Sequence, residues 1–201
     1  MSEHYYTEQP QTPSRLTEIT ATLRGKTYRF YTDTGVFSRR YVDRGTQVLV
    51  EAMEVPPAAT VLDMGCGYGV IGIVAASLSP SSQVVMVDVN RRAVELAEMN
   101  VRRYQLRNVQ VFQGDGFAPV QGMTFAAIYM NPPFRAGKQL VFQWYEAARS
   151  HLDPGGTLWV VVQKKQGAPS TERRLQQLFG AEHVVCVARE KGYHVFCSRK
   201  V

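Results

Sequence analysis

Short runs of unbroken apolar residues alternate with helical patterns along most of this chain, and that alternation restricts its fold more than any other feature. Thr60 to Met64 (TVLDM), Gln83 to Asp88 (QVVMVD), Val109 to Gln113, Phe125 to Met130 and Thr157 to Gln163 (TLWVVVQ) read as strands. Val70 to Leu78, Arg91 to Tyr104, Val141 to His151 and Thr171 to Phe179 read as the helices between and after them. Strands that are apolar at nearly every position are buried on both faces, which requires a parallel sheet covered by helices on either side. His183 to Ala188 and Tyr193 to Ser198 are two closing strands, and the Arg189 to Gly192 link between them is too short for a crossover. That pair must be antiparallel. The expected architecture is a doubly wound α/β fold, a mostly parallel seven-stranded sheet ending in an antiparallel hairpin. Ahead of it, Lys26 to Thr32 reads as a further strand and Asp43 to Glu54 as a helix stopped by Pro56 and Pro57. Asp153 to Gly156 reads as a turn.

Such a sheet takes up nearly all of the 201 residues. One domain over residues 26–201 is therefore expected, behind a polar N-terminal segment, residues 1–25, whose start frays. Met1 to Pro13 is polar and carries Glu3 and Glu8, unlike a signal peptide. No apolar run approaches the roughly 18–20 residues of a membrane span. Three cysteines, Cys66, Cys186 and Cys197, form no CxxC pair and leave one over in any disulfide scheme, which points to a reduced, cytoplasmic setting. The four histidines, His4, His151, His183 and His194, have no spacing that suggests a metal. Lys and Arg exceed Asp and Glu by 23 to 17, a net charge of +6 that suits a polyanionic partner without identifying one.

In a sheet of this type ligands bind beyond the carboxyl ends of the strands. The first such end reads Asp63-Met64-Gly65-Cys66-Gly67-Tyr68-Gly69-Val70-Ile71-Gly72. From Gly67 it contains G-x-G-x-x-G, with Asp88 about 20 residues on, as a dinucleotide fingerprint asks. A nicotinamide dehydrogenase is thus a competing reading. Two details oppose it: the first glycine after the strand is Gly65 rather than Gly67, and Asp63 would face a pyrophosphate with its own negative charge. A carboxylate there suits a cationic ligand end, such as the ammonium of an amino acid. Asp88 ends the second strand, where a carboxylate accepts both ribose hydroxyls, and Asp115 follows the third in Gly114-Asp115-Gly116. Three acids at three successive strand ends ask for a ligand rich in hydroxyl, amino and ammonium donors and free of phosphate. S-adenosylmethionine is such a molecule.

The fourth strand ends in Asn131-Pro132-Pro133-Phe134. Two prolines alone make a stiff turn, but a turn needs neither the Asn before them nor the aromatic after them. Methylation of a planar exocyclic amine gives both a use. The Asn131 side-chain oxygen and the Pro132 carbonyl can accept the two amine hydrogens, aim the nitrogen and favour the positive charge that develops on it. Pro133 stiffens the turn and Phe134 offers a face for the base. No strong general base is required, because the proton becomes acidic only after transfer.

VLDMGCGYG at 61–69, Asp88, GDG at 114–116 and NPPF at 131–134 resemble a class I S-adenosylmethionine-dependent methyltransferase of the amino-methylating kind. Thr34 to Ser38 and Asp43 to Thr46 resemble the segment ahead of the glycine loop in the small-domain methyltransferases of the bacterial 16S ribosomal RNA guanine-N2 type. Gln163 to Phe179 and Lys191-Gly192-Tyr193 are similar to the ending of the same group, so the likeness runs from about Leu23 to Val201. It implies that Phe37 lies over the cofactor and that Asp63 and the backbone of Gly65, Cys66 and Gly67 hold its methionine end. Asp88 and Val89 would meet the ribose side, Asp115 and Gly116 the adenine, and Asn131 would stand between cofactor and acceptor. The rRNA enzymes of this type carry a second, degenerate copy of the domain, and this chain holds one copy, so a specific guanine does not carry over.

Guanine N2 of ribosomal RNA is the leading acceptor, with RNA or a ribosomal subunit as partner, no metal and no membrane, and a monomer or homodimer as the assembly. Adenine N6 and a protein glutamine amide are the rivals that keep the cofactor. A non-catalytic cofactor-binding RNA module is disfavoured by the intact Asn131, and a dehydrogenase by the want of a substrate domain. Arg39, Arg40 and Lys164 (beside Lys165) are candidate RNA contacts. Arg102-Arg103 and Arg173-Arg174 read as solvated helix faces, and Trp144, Tyr145 and Trp159 as core or interface. In Cys66 small size matters more than the thiol.

Overall fold

The structure, a computed structural model, describes Glu8 and residues 12–201; the expected fraying at the chain's start and His4 lie outside the described residues. Its first element departs from expectation. Thr17–Leu23 (β1), inside the stretch read as a polar segment, pairs antiparallel with Lys26–Thr32 (β2). Arg24 and Gly25 make the turn, both with positive φ, as a two-residue hairpin of primed type demands. Ile19 and Leu23 face inward while the intervening threonines and Glu18 face out or lie at the edge. The hairpin docks on a helix through Asn100, whose side chain bonds both the N–H (2.7 Å) and the carbonyl (3.0 Å) of Tyr31.

Arg44–Ala52 (α1) follows, capped by Asp43 and ended before the two prolines. Then come Thr60–Met64 (β3), Val70–Leu78 (α2), Gln83–Asp88 (β4), Arg91–Arg103 (α3, with Asn90 as N-cap) and Val109–Gln113 (β5). Phe125–Met130 (β6), Lys138–His151 (α4), Leu152–Gln163 (β7), Lys164–Phe179 (α5), Val184–Glu190 (β8) and Tyr193–Arg199 (β9) complete the chain. The sheet order is β5-β4-β3-β6-β7-β9-β8, parallel through β7 and antiparallel in the last two pairings. The seven-stranded α/β architecture is as the strand and helix patterns require.

Strand alternation divides the core. Val61, Val84, Met86, Ala127 and Tyr129 face α1, α2, α3 and the hairpin, while Leu62, Val85, Val87, Ile128 and Met130 face α4 and α5. Trp144, Tyr145 and Trp159 are buried. Two turn signals are absorbed into regular elements. Asp153 to Gly156 is a bulged start to β7, where the partner register shifts between Phe125 and Ala127. Only glycine fits at 156, because a Cβ there would lie 2.9 Å from the Asp153 carbonyl and 3.0 Å from that of Phe125. In α5 the break expected before Thr171 is a kink at Gly167 (φ 126°), after which Pro169 sits near the start of the second helical stretch. The chain runs out to β5, returns past β3 and continues through β6. The reversal opens a crevice beyond the carboxyl ends of β3, β4 and β6.

Candidate active site

The glycine loop between β3 and α2 holds three positive φ angles, at Gly65 (71°), Gly67 (56°) and Gly69 (96°), and this tight path turns its N–H groups inward. Gly65 N and Cys66 N donate to the Val87 carbonyl (2.8 and 3.0 Å), Gly67 N to Asp88 Oδ2 (2.8 Å) and Gly69 N to the Cys66 carbonyl (2.9 Å). A pyrophosphate needs such donors turned outward. Asp63 reinforces the point: fully buried, it accepts the Gly72 N–H from the first turn of α2 (2.8 Å) and fills the helix end with a carboxyl. Gly72, the last glycine of the dinucleotide-like string, serves packing, since a Cβ there would be 2.4 Å from Met86 Cε. The loop is built against a dinucleotide, and its glycines are explained without one.

Beyond the loop lies a cavity of about 890 Å³, counting space open to solvent. Phe37, Ser38, Asp43 and Thr46 form one wall, Gly65 to Gly67 the floor, and Val87 to Asn90 with Gly114 and Gly116 the far side. Asn131, Pro132, Pro133 and Trp144 close it. Its charged lining residues, among those described, are Asp43 and Asp88, with no Lys, Arg or His. Burial lifts the Asp88 carboxyl to about 6, against the pull of N–H donors from Asn90 and Gly67. Burial, with the neighbouring Asp88 charge adding to it, lifts Asp63 to about 7, and Asp63 Oδ1 is buried without a hydrogen-bond partner. A site of this kind takes a ligand that brings donors and positive charge. No group of three or more His, Cys, Asp or Glu able to hold a metal occurs among the described residues.

Asn131 is held from one side. Its Nδ2 donates to Asp43 Oδ2 (2.9 Å) and to Thr46 Oγ1 (3.0 Å). A carboxylate only accepts, so the amide must turn its NH₂ toward Asp43, and Oδ1 is the atom left for a ligand. The Pro132 carbonyl already accepts the Phe134 N–H (2.9 Å) and keeps a second lone pair.

The wall thus gathers Phe37, Gly65, Cys66, Gly67, Asp88, Val89, Gly116, Asn131, Pro132 and Pro133 from the residues singled out in sequence. It leaves out others. Asp63 lies beneath the loop, Asp115 is exposed while its glycine neighbours line the cavity, and Phe134 is half-buried against the core under α4. Arg39, Arg40 and Lys164 are off the wall, Arg40 and Lys164 exposed and Arg39 half-buried. Sequence reasoning gave Asp43, Thr46 and Trp144 no place in the site, although all three line the cavity. An acid three residues before Thr46 N signals a helix cap, which masks any second use, and Trp144 has the spacing of a core residue. Its indole is 3.5 Å from where a Cβ on either Gly65 or Gly116 would stand.

A family model described as "Methyltransferase small domain" matches residues 27–197. The Bacillus subtilis protein YbxB, described as uncharacterized, is 43% identical over 203 residues that cover all of both chains. The ribosomal RNA small subunit methyltransferase C of Haemophilus influenzae (strain PittGG) is 35% identical over 140 residues, 66% of this chain and 41% of that protein. Among solved structures, the T. thermophilus 16S rRNA N2 G1207 methyltransferase (RsmC), in complex with AdoMet and guanosine, superimposes with a TM-score of 0.83 at 26% identity. That match covers 96% of this chain and 52% of the other, so this chain spans about half the length of the named rRNA methyltransferases.

Proposed function

The chain belongs to the methyltransferase small domain family and is an S-adenosylmethionine-dependent methyltransferase; from that premise we propose that it methylates the exocyclic N2 amine of a guanine in RNA, ribosomal RNA above all. The orientation of Asn131 carries the reading. With both Nδ2 contacts made to Asp43 and Thr46, the amide offers a fixed acceptor. That suits an amine that donates its hydrogens and not a hydroxyl that must first lose one. The names of the H. influenzae and T. thermophilus relatives, the latter an N2 guanine enzyme of 16S rRNA, support the choice of acceptor.

S-adenosylmethionine, when bound, supplies a methyl group activated by its sulfonium sulfur. The residues present fit it: Asp88 would accept the ribose hydroxyls on lone pairs that Gly67 N and Asn90 N leave open. The Gly65 to Gly67 backbone would hold the amino-acid end, with the Asp63 charge beneath it. Val89 and Gly116 would flank the adenine, Asp115 would reach its amine from the rim, and Phe37 would cover the site. Asn131 Oδ1 and the Pro132 carbonyl hold the two amine hydrogens and aim the nitrogen lone pair. Their partial charges favour the positive charge that grows there. Phe134 would stack the extruded base, and Arg39, Arg40 and Lys164 would meet backbone phosphates.

The deciding experiment is labelled methyl transfer to 16S RNA, assembled small subunits, large-subunit RNA and DNA, with the product nucleoside identified by mass spectrometry. N2-methylguanosine is expected; N6-methyladenosine or a methylated protein glutamine would replace the acceptor. Two further results follow from the same site. If Arg39, Arg40 and Lys164 each meet a phosphate, a fourfold rise in salt should weaken binding to unpaired RNA by about 20-fold, and a flat response in filter binding would remove the RNA reading. The second concerns pH. Burial lifts the Asp88 carboxyl to about 6 and the Asp63 carboxyl to about 7, and the charged form of each is the better partner for a donor-rich, cationic ligand. S-adenosylhomocysteine affinity should therefore be highest in mildly alkaline solution and fall as pH drops through 7 and then 6, by up to about tenfold per unit for each group. Calorimetry from pH 8 to pH 5 checks this, and affinity that rose on acidification would exclude an ionised Asp88 as the binding form.

A further inference from the structure

We propose that Asp43 reads the acceptor base: its Oδ1 accepts the ring N–H that lies beside the exocyclic amine, so the site selects guanine. The inference rests on the guanine N2 reading above and names its specificity determinant. The two oxygens of Asp43 are not equivalent. Oδ2 accepts the Thr46 N–H (3.1 Å), capping α1, and the Asn131 Nδ2 (2.9 Å). It is pressed against the helix where Gly45 leaves room, since a Cβ on Gly45 would stand 2.9 Å from Oδ2 and 2.9 Å from Tyr193 Cε1. Oδ1 receives no hydrogen bond from any described residue, yet Asp43 lines the cavity beside Asn131.

Beside the Pro132 carbonyl, the site therefore offers two uncommitted side-chain acceptors, Asn131 Oδ1 and Asp43 Oδ1, on residues locked together by a hydrogen bond. Guanine carries the complementary pair of donors on adjacent atoms, the N2 amine and N1–H. Adenine sets an N1 lone pair next to its N6 amine, which would meet the carboxylate with like polarity. A glutamine amide offers only its NH₂ and would leave Oδ1 unanswered. A polar group built to pair with a substrate donor rejects analogues lacking it far more strongly than an apolar pocket rejects a missing methylene. One acid thus does two things: Oδ2 positions Asn131 and Oδ1 tests the base.

The test uses the full chain saturated with S-adenosylhomocysteine and titrated with nucleosides. The probes are guanosine, adenosine, 2-aminopurine riboside (which keeps the 2-amine and replaces N1–H by a lone pair) and N-acetylglutamine amide. Guanosine should bind at least about tenfold more tightly than 2-aminopurine riboside. In Asp43→Asn the carbonyl can keep the Oδ2 contacts and the cap while the amide NH₂ takes the place of Oδ1, so the preference should vanish or invert. Loss of a cap alone would weaken both nucleosides alike and leave their ratio unmoved. Equal affinities in the wild type, or an unchanged ratio in Asp43→Asn, would overturn the role of Asp43 and leave the guanine reading standing. If guanosine does not bind, whatever else does, the guanine reading fails and takes this one with it. Should Asp43→Asn lose S-adenosylhomocysteine binding, the wild-type ratio decides.

Discussion

Asn131→Ala should lower kcat by about 100- to 1000-fold while S-adenosylhomocysteine binds within a few-fold of wild type. The asymmetry follows from what each half of the amide does. Nδ2 is engaged within the protein by Asp43 and Thr46, at 2.9 and 3.0 Å, and contributes the orientation of the group. Oδ1 contributes its interaction only when an amine stands before it, and that interaction strengthens as positive charge develops on the nitrogen. Removing an oriented dipole that acts mainly at the transition state typically costs about 3–4 kcal/mol in the barrier and little in ground-state binding. Asn131→Asp should do no better than Ala. It restores an acceptor but sets a second carboxylate against Asp43 Oδ2, where the native amide donates. Single-turnover methylation and calorimetry on the same preparations separate the two effects. A large loss of S-adenosylhomocysteine affinity in Asn131→Ala would mean that the side chain serves the cofactor first.

How far the sequence disclosed this arrangement depends on which property each residue expresses locally. Strands buried on both faces announce themselves by composition, so β3, β4, β6 and most of β7 were legible, and with them the crevice. β1 was not, because Thr17, Thr20 and Thr22 make a half-exposed strand look like polar tail. Asp153 to Gly156 carries every turn signal and forms a bulge instead, held between the Leu152–Phe125 and Thr157–Ala127 pairings and bonded through Gly155 and Gly156 to Lys200. The three strand-end acids looked alike and are not. Asp63 pairs with Met86, two residues before Asp88, which sets it roughly 6–7 Å deeper in the sheet at about 3.3 Å per residue. One acid is therefore walled in beneath the loop and the other opens on the cavity. Asp43 shows the opposite case, a residue whose local role as a cap was readable while its contact with Asn131, 88 positions away, was not.

Asp88→Ala is expected to cost the cofactor more than any other single change, about 100-fold in S-adenosylhomocysteine affinity. Two hydroxyls donating to a charged acceptor contribute about 1.5–3 kcal/mol each. Part of that is offset, because burial already penalises the free carboxylate, as its rise to about 6 shows, and the alanine variant no longer bears that penalty. The substitution also strips Gly67 N and Asn90 N of their acceptor, so a loss of affinity alone would not tell a ribose contact from a loosened loop. Asp88→Asn, which keeps one oxygen and the shape, should lose only about tenfold. The separation comes from a cycle with a 2′,3′-dideoxyribose analogue of S-adenosylhomocysteine. If Asp88 holds the hydroxyls, removing them should weaken binding to the wild type strongly and to Asp88→Ala hardly at all. An equal penalty in both proteins would mean that Asp88 acts only by anchoring the glycine loop.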